Sequence, residues 1–291
     1  MPRGLDHIVH AVHDLDAAAA FYQRAGFQVG GRNVHPWGTH NRIVQLKDFF
    51  IEILTVAEPD KLVSHGPRDF SFGAFHRDYL AHRQGLSMLL LQSRDAAADA
   101  RDFAAAGFGD FNVFDFARDG RRPDGSVAKL AFSLAFAVDP APPDAGFAVC
   151  QHHVPENFWN AAFQRHDNGA RTALAAVLVA DNPSDHHIFL SALSGVRDLH
   201  SSSIGVAARS PHGNIEIMEP VSFRDQFGVM PATAGEGARF AGLRLAVDDV
   251  AAVERLWQGN GLAFTRRGER LVLSPDVAFG ATLIFEQPAK G

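Results

Sequence analysis

The amino-acid sequence predicts an α+β protein built from four copies of one β-α-β-β-β unit. Three observations lead to this prediction. A strand-like run followed by an acidic turn recurs four times, a helix-like segment follows each turn, and a Gly ends each of these segments. Asp is a favoured residue at the start of a helix, and Gly just past its end is the usual left-handed cap. We therefore expect one folding unit in four copies.

The first copy is the clearest. Its strand is predicted at residues 5–12, Asp14 caps the following helix, and Gly26 stands just after that helix. Three shorter strand-like runs complete the copy at residues 27–34, 39–46 and 49–56.

The other three copies repeat the same order. Their first strands are predicted at residues 85–91, 172–179 and 242–247. The residues that start and stop their helices are Asp95 and Gly107, Asp181 and Gly195, and Asp249 and Gly261. Shorter strands are predicted at residues 112–116, 127–137, 147–152, 204–208, 214–218, 263–267, 270–274 and 281–285.

The four units are expected to form two domains. One unit leaves a face of its sheet exposed, whereas two paired units close a curved, cup-like sheet with helices outside. A length of 291 residues also fits two domains. The segment 155–168 breaks strand periodicity, so we predict domains at residues 1–158 and 159–291. The alternative, an unrelated α+β chain with chance strand–helix pairs, fits four matched blocks poorly.

Composition excludes several classes of protein. The net charge is −6 without a basic stripe, which argues against nucleic acid as the partner. No apolar run is long enough to span a bilayer, and the N-terminus lacks a signal-peptide core. The single Cys150 rules out an intramolecular disulfide. We expect a cytoplasmic protein whose partner is a small molecule, and a homodimer is compatible with the sequence.

Three segments carry a family resemblance. The run Asp6-His7-Ile8-Val9, continued by Asp14-Leu15 and Phe21-Tyr22, resembles the opening module of the vicinal oxygen chelate superfamily. Two further segments resemble the glyoxalase-like branch of this superfamily. One is His35-Pro-Trp-Gly-Thr-His-Asn-Arg-Ile43 with Phe50-Ile-Glu-Ile53, and the other is Cys150-Gln-His-His-Val-Pro-Glu156. The resemblance implies a cup in which the first and last strands of each module often hold a divalent metal. Superfamily members include lyases, isomerases, epimerases and extradiol dioxygenases, and some bind small molecules without metal.

The first module contains two candidate metal ligands. Side chains alternate along a strand, so His7 and Glu52 point into the cup if their apolar neighbours pack on the helix. The resemblance gives both residues the family's ligand positions. An imidazole and a carboxylate suit Zn, Mn, Fe or Ni. The alternatives are a hydrogen-bonded core histidine and a carboxylate that is hydrogen-bonded or paired with an arginine.

The second module departs from this pattern. Met88 aligns with His7, and Gln151 and His153 lie near the position equivalent to Glu52. One of those two would complete a three-point metal site with open coordination positions. We expect His152 to be structural, and Cys150 to be an inert core thiol.

Further candidates follow the turn at residues 36–38. His40 and Asn41 are expected to line the cup mouth, with turn stabilisation as the alternative. We assign substrate contacts to Trp37, His40, Asn41 and Met88. Glu52 and His40 are the catalytic candidates, since each can act as an acid or a base.

The second domain is expected to bind no metal. Leu174 and Gly242 stand where a histidine would be needed, although Glu216 and Glu286 keep last-strand carboxylates. We expect this domain to be a structural partner that covers the first cup.

Two functions fit these observations. The first is a metal-dependent lyase or isomerase acting on a molecule with vicinal oxygens, with extradiol-type oxygen insertion ranked after it. The second is a metal-free protein whose Phe-rich cup sequesters an apolar or aromatic molecule, which the incomplete ligand set favours. The sequence has no Walker-type phosphate loop and no Gly-x-Ser-x-Gly elbow.

Overall fold

The structure, a computed structural model, describes residues 1–121, 125–139, 141, 144–231 and 237–288. Its strands form two eight-stranded sheets. The strands of the first sheet are β1 (Leu5–Ala11), β2 (Asn33–Val34), β3 (Thr39–Leu46), β4 (Phe49–Val56), β5 (Gly85–Gln92), β6 (Phe114–Arg121), β7 (Val127–Ala137) and β8 (Gly146–His152). The helices in this part of the chain are α1 (Leu15–Arg24), α2 (Phe72–His82), α3 (Ala96–Ala105) and α4 (Pro155–Phe158).

The second sheet also has eight strands. Its strands are β9 (Ala170–Val179), β10 (His200–Ser202), β11 (Gly205–Arg209), β12 (Asn214–Met218), β13 (Arg239–Val247), β14 (Thr265–Arg267), β15 (Arg270–Leu273) and β16 (Thr282–Glu286). Its helices are α5 (His187–Ser194), α6 (Pro220–Phe227) and α7 (Val250–Gly259).

Both sheets follow one topology. The strand order is β2-β3-β4-β1-β5-β8-β7-β6 in the first sheet and β10-β11-β12-β9-β13-β16-β15-β14 in the second. The first strand of each module pairs in parallel with its last strand, and the two first strands pair antiparallel at the centre. The predicted α+β fold, with four β-α-β-β-β modules in two curved sheets, is confirmed. Residues 153–169 connect the sheets, and a domain boundary at residue 158 stays a prediction.

The local sequence explains where α1 begins and ends. The side chain of Asp14 accepts hydrogen bonds from the backbone amides of Asp16 and Ala17, at 3.0 and 2.9 Å. These amides lack partners inside the helix, so the cap stabilises its first turn. Gly26 follows with a φ of 89°, a conformation that residues with a Cβ rarely adopt.

The two sheets pack back to back. Helices α1, α3, α5 and α7 lie on the convex faces and share one apolar core. In that core the rings of Phe27 and Phe285 lie 5.8 Å apart, and Trp257 Nε1 donates to the backbone oxygen of Ala25 at 3.1 Å. The helices are therefore outside each cup and between the two cups. The expectation that the second domain covers the first cup was wrong, because that domain packs behind it.

The concave faces are each covered by one helix. Helix α2, between the first two modules, where no helix was predicted, packs Phe72 and Phe75 into the first cup. In the same way α6 packs Phe223 and Phe227 into the second cup. Among the described residues, none of the helices is long and apolar enough to cross a membrane.

Candidate functional site

A cavity opens on the concave face of the first sheet, which we call the first cup. Its walls carry six phenylalanines: Phe50, Phe72, Phe114, Phe116, Phe132 and Phe158. Its polar lining residues are His7, His35, Asn41, Glu52 and Arg118. Polar groups are thus few, and they are gathered within an aromatic chamber, as is typical of small-molecule sites.

His7 lies on β1 and is only 6% exposed. Its Nδ1 donates to the carboxylate of Asp6 at 2.6 Å, and its ring stacks on Phe50 with centroids 4.1 Å apart. Because an ionised carboxylate can only accept, Nδ1 carries a proton, and in the neutral form of the ring Nε2 is the nitrogen with the free lone pair. That Nε2 lies 4.0 Å from Glu52 Oε2.

Asp6 is ionised despite being buried. Burial alone would raise its pKa, but the charge and hydrogen bond of His152 and then those of His7 outweigh burial. The pKa of Asp6 is lowered to about 2. A carboxylate behind an imidazole fixes the ring and makes its free nitrogen a better ligand or base.

Glu52 lies on β4 and is 7% exposed. Its Oε1 accepts from Asn41 Nδ2 at 2.5 Å, and Asn41 Oδ1 accepts from Asn33 Nδ2 at 2.8 Å. Within the described part of the chain, no lysine or arginine nitrogen lies within 4.0 Å of Glu52. The carboxylate is therefore hydrogen-bonded but not neutralised by a basic side chain.

When the His7 ring is neutral and Glu52 is ionised, His7 Nε2 and Glu52 Oε2 are both hydrogen-bond acceptors that face each other. A lone pair and a carboxylate oxygen 4.0 Å apart in a buried site repel each other unless a proton or a cation lies between them. The separation is within the span of two ligands that each bond one ion at about 2 Å. The donor set present thus fits a divalent metal ion.

The second module supplies no equivalent pair. The register that aligns His7 with Phe50 in the first module aligns Met88 with Gly146 in the second. Two residues further along, Ala148 stands where the first module has its glutamate. Met88 is buried in the apolar core of the cup and is not among the residues that line the cavity.

Strand β8 turns different residues to the cup than the sequence suggested. Cys150 packs in the first cup and His152 reaches Asp6, whereas Gln151 and His153 lie on the opposite face. Gln151 Oε1 accepts from the first backbone amide of α3 at 2.9 Å, and His153 bonds Ser133 Oγ at 2.6 Å. The predicted third ligand from this pair is therefore not brought to His7.

His152 is instead part of the site's surroundings. Its Nε2 lies 3.1 Å from Asp6 Oδ2, and its ring stacks on Trp159 with centroids 5.7 Å apart. Its Nδ1 is buried and has no hydrogen-bond partner among the described residues. Asp6 thus joins two histidines, a link that the sequence did not reveal.

Cys150 lies beside this pair. Potential ligand atoms of Asp6, His7 and Cys150 all lie within 4.8 Å of one another. Burial, and then the charges of Asp6 and Glu52, raise the pKa of the Cys150 thiol well above its ordinary value. The thiol is therefore protonated, which makes it a poor nucleophile.

The turn before β3 places its residues differently. Trp37 and Asn41 line the cavity, and their contact with a substrate stays a prediction. His40 points to the other face, where its Nε2 lies 3.2 Å from Glu58 and its Nδ1 3.2 Å from Arg32. Because alternate residues of a strand face opposite sides, His40 does not reach the chamber that Asn41 lines.

His35 was missed from the sequence. It is buried, stacks on Trp37 with centroids 4.7 Å apart, and its Nδ1 bonds Thr39 Oγ1 at 2.8 Å. Its Nε2 lies 3.3 Å from Asn41 Nδ2, and burial lowers its pKa, so the ring is neutral. The available signal was the motif of residues 35–43, of which only Trp37, His40 and Asn41 were predicted to be functional.

The second cup has a different polar centre. Arg244 donates to Glu216 at 2.5 Å and to Glu286 at 2.6 Å, and Arg270 donates to Glu286 at 2.7 Å. Both carboxylates are therefore paired with arginines, unlike Glu52. The register also puts Ala175, not Leu174, at the position equivalent to His7.

The Glyoxalase-like domain family matches residues 5–193, most of the chain. The chain belongs to this family. The resemblance to the vicinal oxygen chelate superfamily is confirmed. A comparison with curated proteins finds no sequence match.

Solved structures share the fold. A hypothetical protein from Staphylococcus aureus matches with a TM-score of 0.66 at 13% identity, over 98% of this chain and 100% of that one. A triple mutant of 4-hydroxymandelate synthase from Streptomyces coelicolor matches with a TM-score of 0.57 at 12% identity, over 100% and 94%. A xylose isomerase-like TIM barrel/4-hydroxyphenylpyruvate dioxygenase fusion protein matches with a TM-score of 0.52 at 13% identity, over 100% and 50%. At these identities the likeness concerns the fold alone.

Proposed function

We propose that the first cup is the active site of a metal-dependent lyase or isomerase that acts on a small molecule with two vicinal oxygens. The observation that carries the proposal is the buried pair of His7 Nε2 and Glu52 Oε2, 4.0 Å apart in an aromatic chamber. Membership in the Glyoxalase-like domain family supports it.

His7 and Glu52 would hold the metal ion, and Zn, Mn, Fe and Ni all accept this ligand pair. Asp6 supports the assignment, since it fixes the proton of His7 on Nδ1 and leaves Nε2 free for an ion. When bound, a divalent ion would supply Lewis-acid stabilisation of negative charge on a substrate oxygen.

The protein's own groups would orient the substrate and move a proton. Asn41 holds Glu52 through Oε1, which leaves Oε2 directed at His7 and the cavity. If Glu52 is not a ligand, this oxygen can take a proton from a carbon next to a carbonyl group. The phenylalanine walls exclude water, which strengthens every charge interaction inside the chamber.

The test is turnover after metal reconstitution. Metal-stripped protein is incubated with Zn, Mn, Fe(II) or Ni and with a panel of 2-hydroxy and 2-oxo carbonyl compounds, and products are identified by mass spectrometry. We expect activity with at least one metal and its loss in His7→Ala and Glu52→Gln. Glu216→Gln, in the second cup, is the matched control and should remain active. Metal-independent turnover, or activity retained in Glu52→Gln, would contradict the proposal.

A metal-free binding protein is the second candidate. The replacement of ligands by Met88 and Ala148 in the second module favours it. In that case a molecule retained through purification would be recovered unchanged, and would bind equally well to His7→Ala.

Extradiol-type oxygen insertion ranks third. One structural neighbour is named as a dioxygenase fusion protein, and the carboxylate–imidazole pair also suits Fe(II). Oxygen consumption by the Fe(II)-loaded protein in the presence of substrate would favour this reaction over a lyase or isomerase.

A further inference from the structure

Arg118 has no carboxylate partner among the residues that the structure describes. It lies on β6 and lines the first cup, where it stands at the boundary with an outer groove. Ile43, Arg118 and Phe158 line both spaces, and the groove continues past Asn33 and Gln45. A ligand entering the cup from this groove would therefore pass the guanidinium.

The hydrogen bonding of Arg118 is incomplete. Nη1 donates to Asn33 Oδ1 at 3.1 Å, and in the described part of the chain no carboxylate oxygen lies within 4.0 Å of the guanidinium. A guanidinium has five N–H donors in a planar fork that matches a carboxylate. By contrast, Arg244 in the second cup contacts two carboxylates. Burial lowers the pKa of Arg118, and the more distant charge of Glu52 only partly offsets this.

Two amides connect Arg118 to the candidate metal site. Arg118 donates to Asn33, Asn33 donates to Asn41 at 2.8 Å, and Asn41 donates to Glu52 at 2.5 Å. Each amide thus has its oxygen toward the cation and its nitrogen toward the carboxylate. This row of hydrogen bonds holds the Arg118 guanidinium and the Glu52 carboxylate at a fixed separation in one chamber. One bound molecule can therefore contact both groups.

The wall beside Arg118 is aromatic. Phe114, Phe116 and Arg118 alternate along β6 and all face the cup. Trp37 meets the rings of Phe114 and Phe116 edge-on, with centroids 5.1 and 5.2 Å away. A flat apolar group packs against such a cluster of rings better than a sugar or a peptide would.

We propose that the molecule bound in the first cup is an aromatic carboxylic acid, whose carboxylate pairs with Arg118 while its ring lies against Phe114, Phe116 and Trp37. The inference rests on the proposed function in one respect: it takes the bound molecule to be the substrate of the active site proposed above. Pairing with Arg118 itself needs no metal.

The experiment compares acids with their neutral amides. Benzoate, phenylacetate and 3-phenylpropanoate, each alongside its primary amide, are titrated calorimetrically into metal-stripped protein. At least one acid should bind about tenfold or more tightly than its amide, the usual effect of a charge-assisted hydrogen bond. Arg118→Gln should abolish this preference and leave amide binding unchanged. Arg118→Lys should keep part of it, because lysine retains the charge without the planar fork.

Two controls separate this inference from the proposed function. Arg32→Gln removes a groove arginine that already pairs with Asp16 at 2.7 Å, and should leave the preference intact. Glu216→Gln, in the second cup, should also leave the preference intact, and because the titrated protein is metal-stripped, a failure of metal binding at Glu52 does not alter the result. Equal binding of acid and amide to the wild type, absence of acid binding, or a preference that survives Arg118→Gln would overturn the inference.

Discussion

The nitrogen of His7 that carries the proton decides what the first cup can bind. The 2.6 Å hydrogen bond to Asp6 puts that proton on Nδ1. In Asp6→Asn the amide can donate to Nδ1 of the ring, which moves the ring proton to Nε2. Metal affinity should therefore fall by about 10- to 100-fold. Competition with a coloured chelator measures this. Asp14→Asn, which keeps a good helix cap, is the control; equal affinity in Asp6→Asn and wild type would refute the assignment.

Buried neutral histidines make stability depend on pH. His10 Nε2 donates to the backbone oxygen of Phe279 at 3.0 Å, and Tyr22 Oη donates to its Nδ1 at 2.8 Å. Burial lowers the pKa of His10 from 6.5 to about 4, although the bond to Phe279 acts in the opposite direction. Between these values the unfolded chain binds the proton more readily, so acidification favours unfolding.

We therefore expect the free energy of unfolding to fall by about 3 kcal/mol on account of His10 as pH is lowered from about 6.5 to about 4. His76, with its pKa also lowered to about 4 by burial, adds to the fall. Urea unfolding at several pH values tests this, and His10→Gln should flatten the slope in that range. The same slope in both proteins would contradict the prediction.

The sequence anticipated some of the site's residues and missed others. His7, Asn41 and Glu52 were predicted to face the cup and Trp37 to contact the substrate. All four line one cavity, while their roles stay predictions. Asp6 was missed because strict alternation would turn it away from His7. The strand register shifts between residues 5 and 7, and this irregularity lets both side chains meet.

At the scale of elements, the phase of β8 is the feature that changed the expected ligand set. His152 is largely buried against Phe158 and Trp159, whereas its neighbour His153 is exposed. His152→Ala should lower the free energy of unfolding by about 2–3 kcal/mol. His153→Ala should change it by less than about 1 kcal/mol. Chemical denaturation of the two variants measures this, and the reverse order would mean that the strand faces the other way.

Strand bounds were easier to predict than strand faces. The runs 39–46, 49–56, 127–137 and 214–218 match β3, β4, β7 and β12 at both ends. The phase of β8 was missed because its residues 146–150 are all buried. A strand covered on both faces has no alternation to reveal its phase. Helix α2 was missed although Phe72, Phe75 and Tyr79 repeat at helical spacing.

At the scale of the whole molecule, the two cups share one core. Trp257 is fully buried, and it contacts Phe285 in its own half and the backbone of Ala25 in the other. Trp257→Ala should lower the free energy of unfolding by about 3–5 kcal/mol. Because the core is shared, calorimetry should show one transition, shifted to lower temperature. Two separate transitions in the wild type would contradict the shared core.

The internal repeat predicted the architecture but not the packing of the cups. Both faces of each sheet are apolar, so the sequence does not indicate which face meets the other half. The repeat also did not predict that the two cups carry different polar residues. The first cup has an unneutralised glutamate beside a histidine, and the second has carboxylates paired with arginines. Such differences depend on which residues meet across strands, which the repeat does not specify.

The most direct test of the account is a calorimetric titration of Mn²⁺ and Zn²⁺ into metal-stripped wild type, Glu52→Gln and Glu216→Gln. We expect one ion per chain in the wild type and in Glu216→Gln, and none in Glu52→Gln. Absence of binding to the wild type, or equal binding to Glu52→Gln, would contradict a metal site formed by His7 and Glu52.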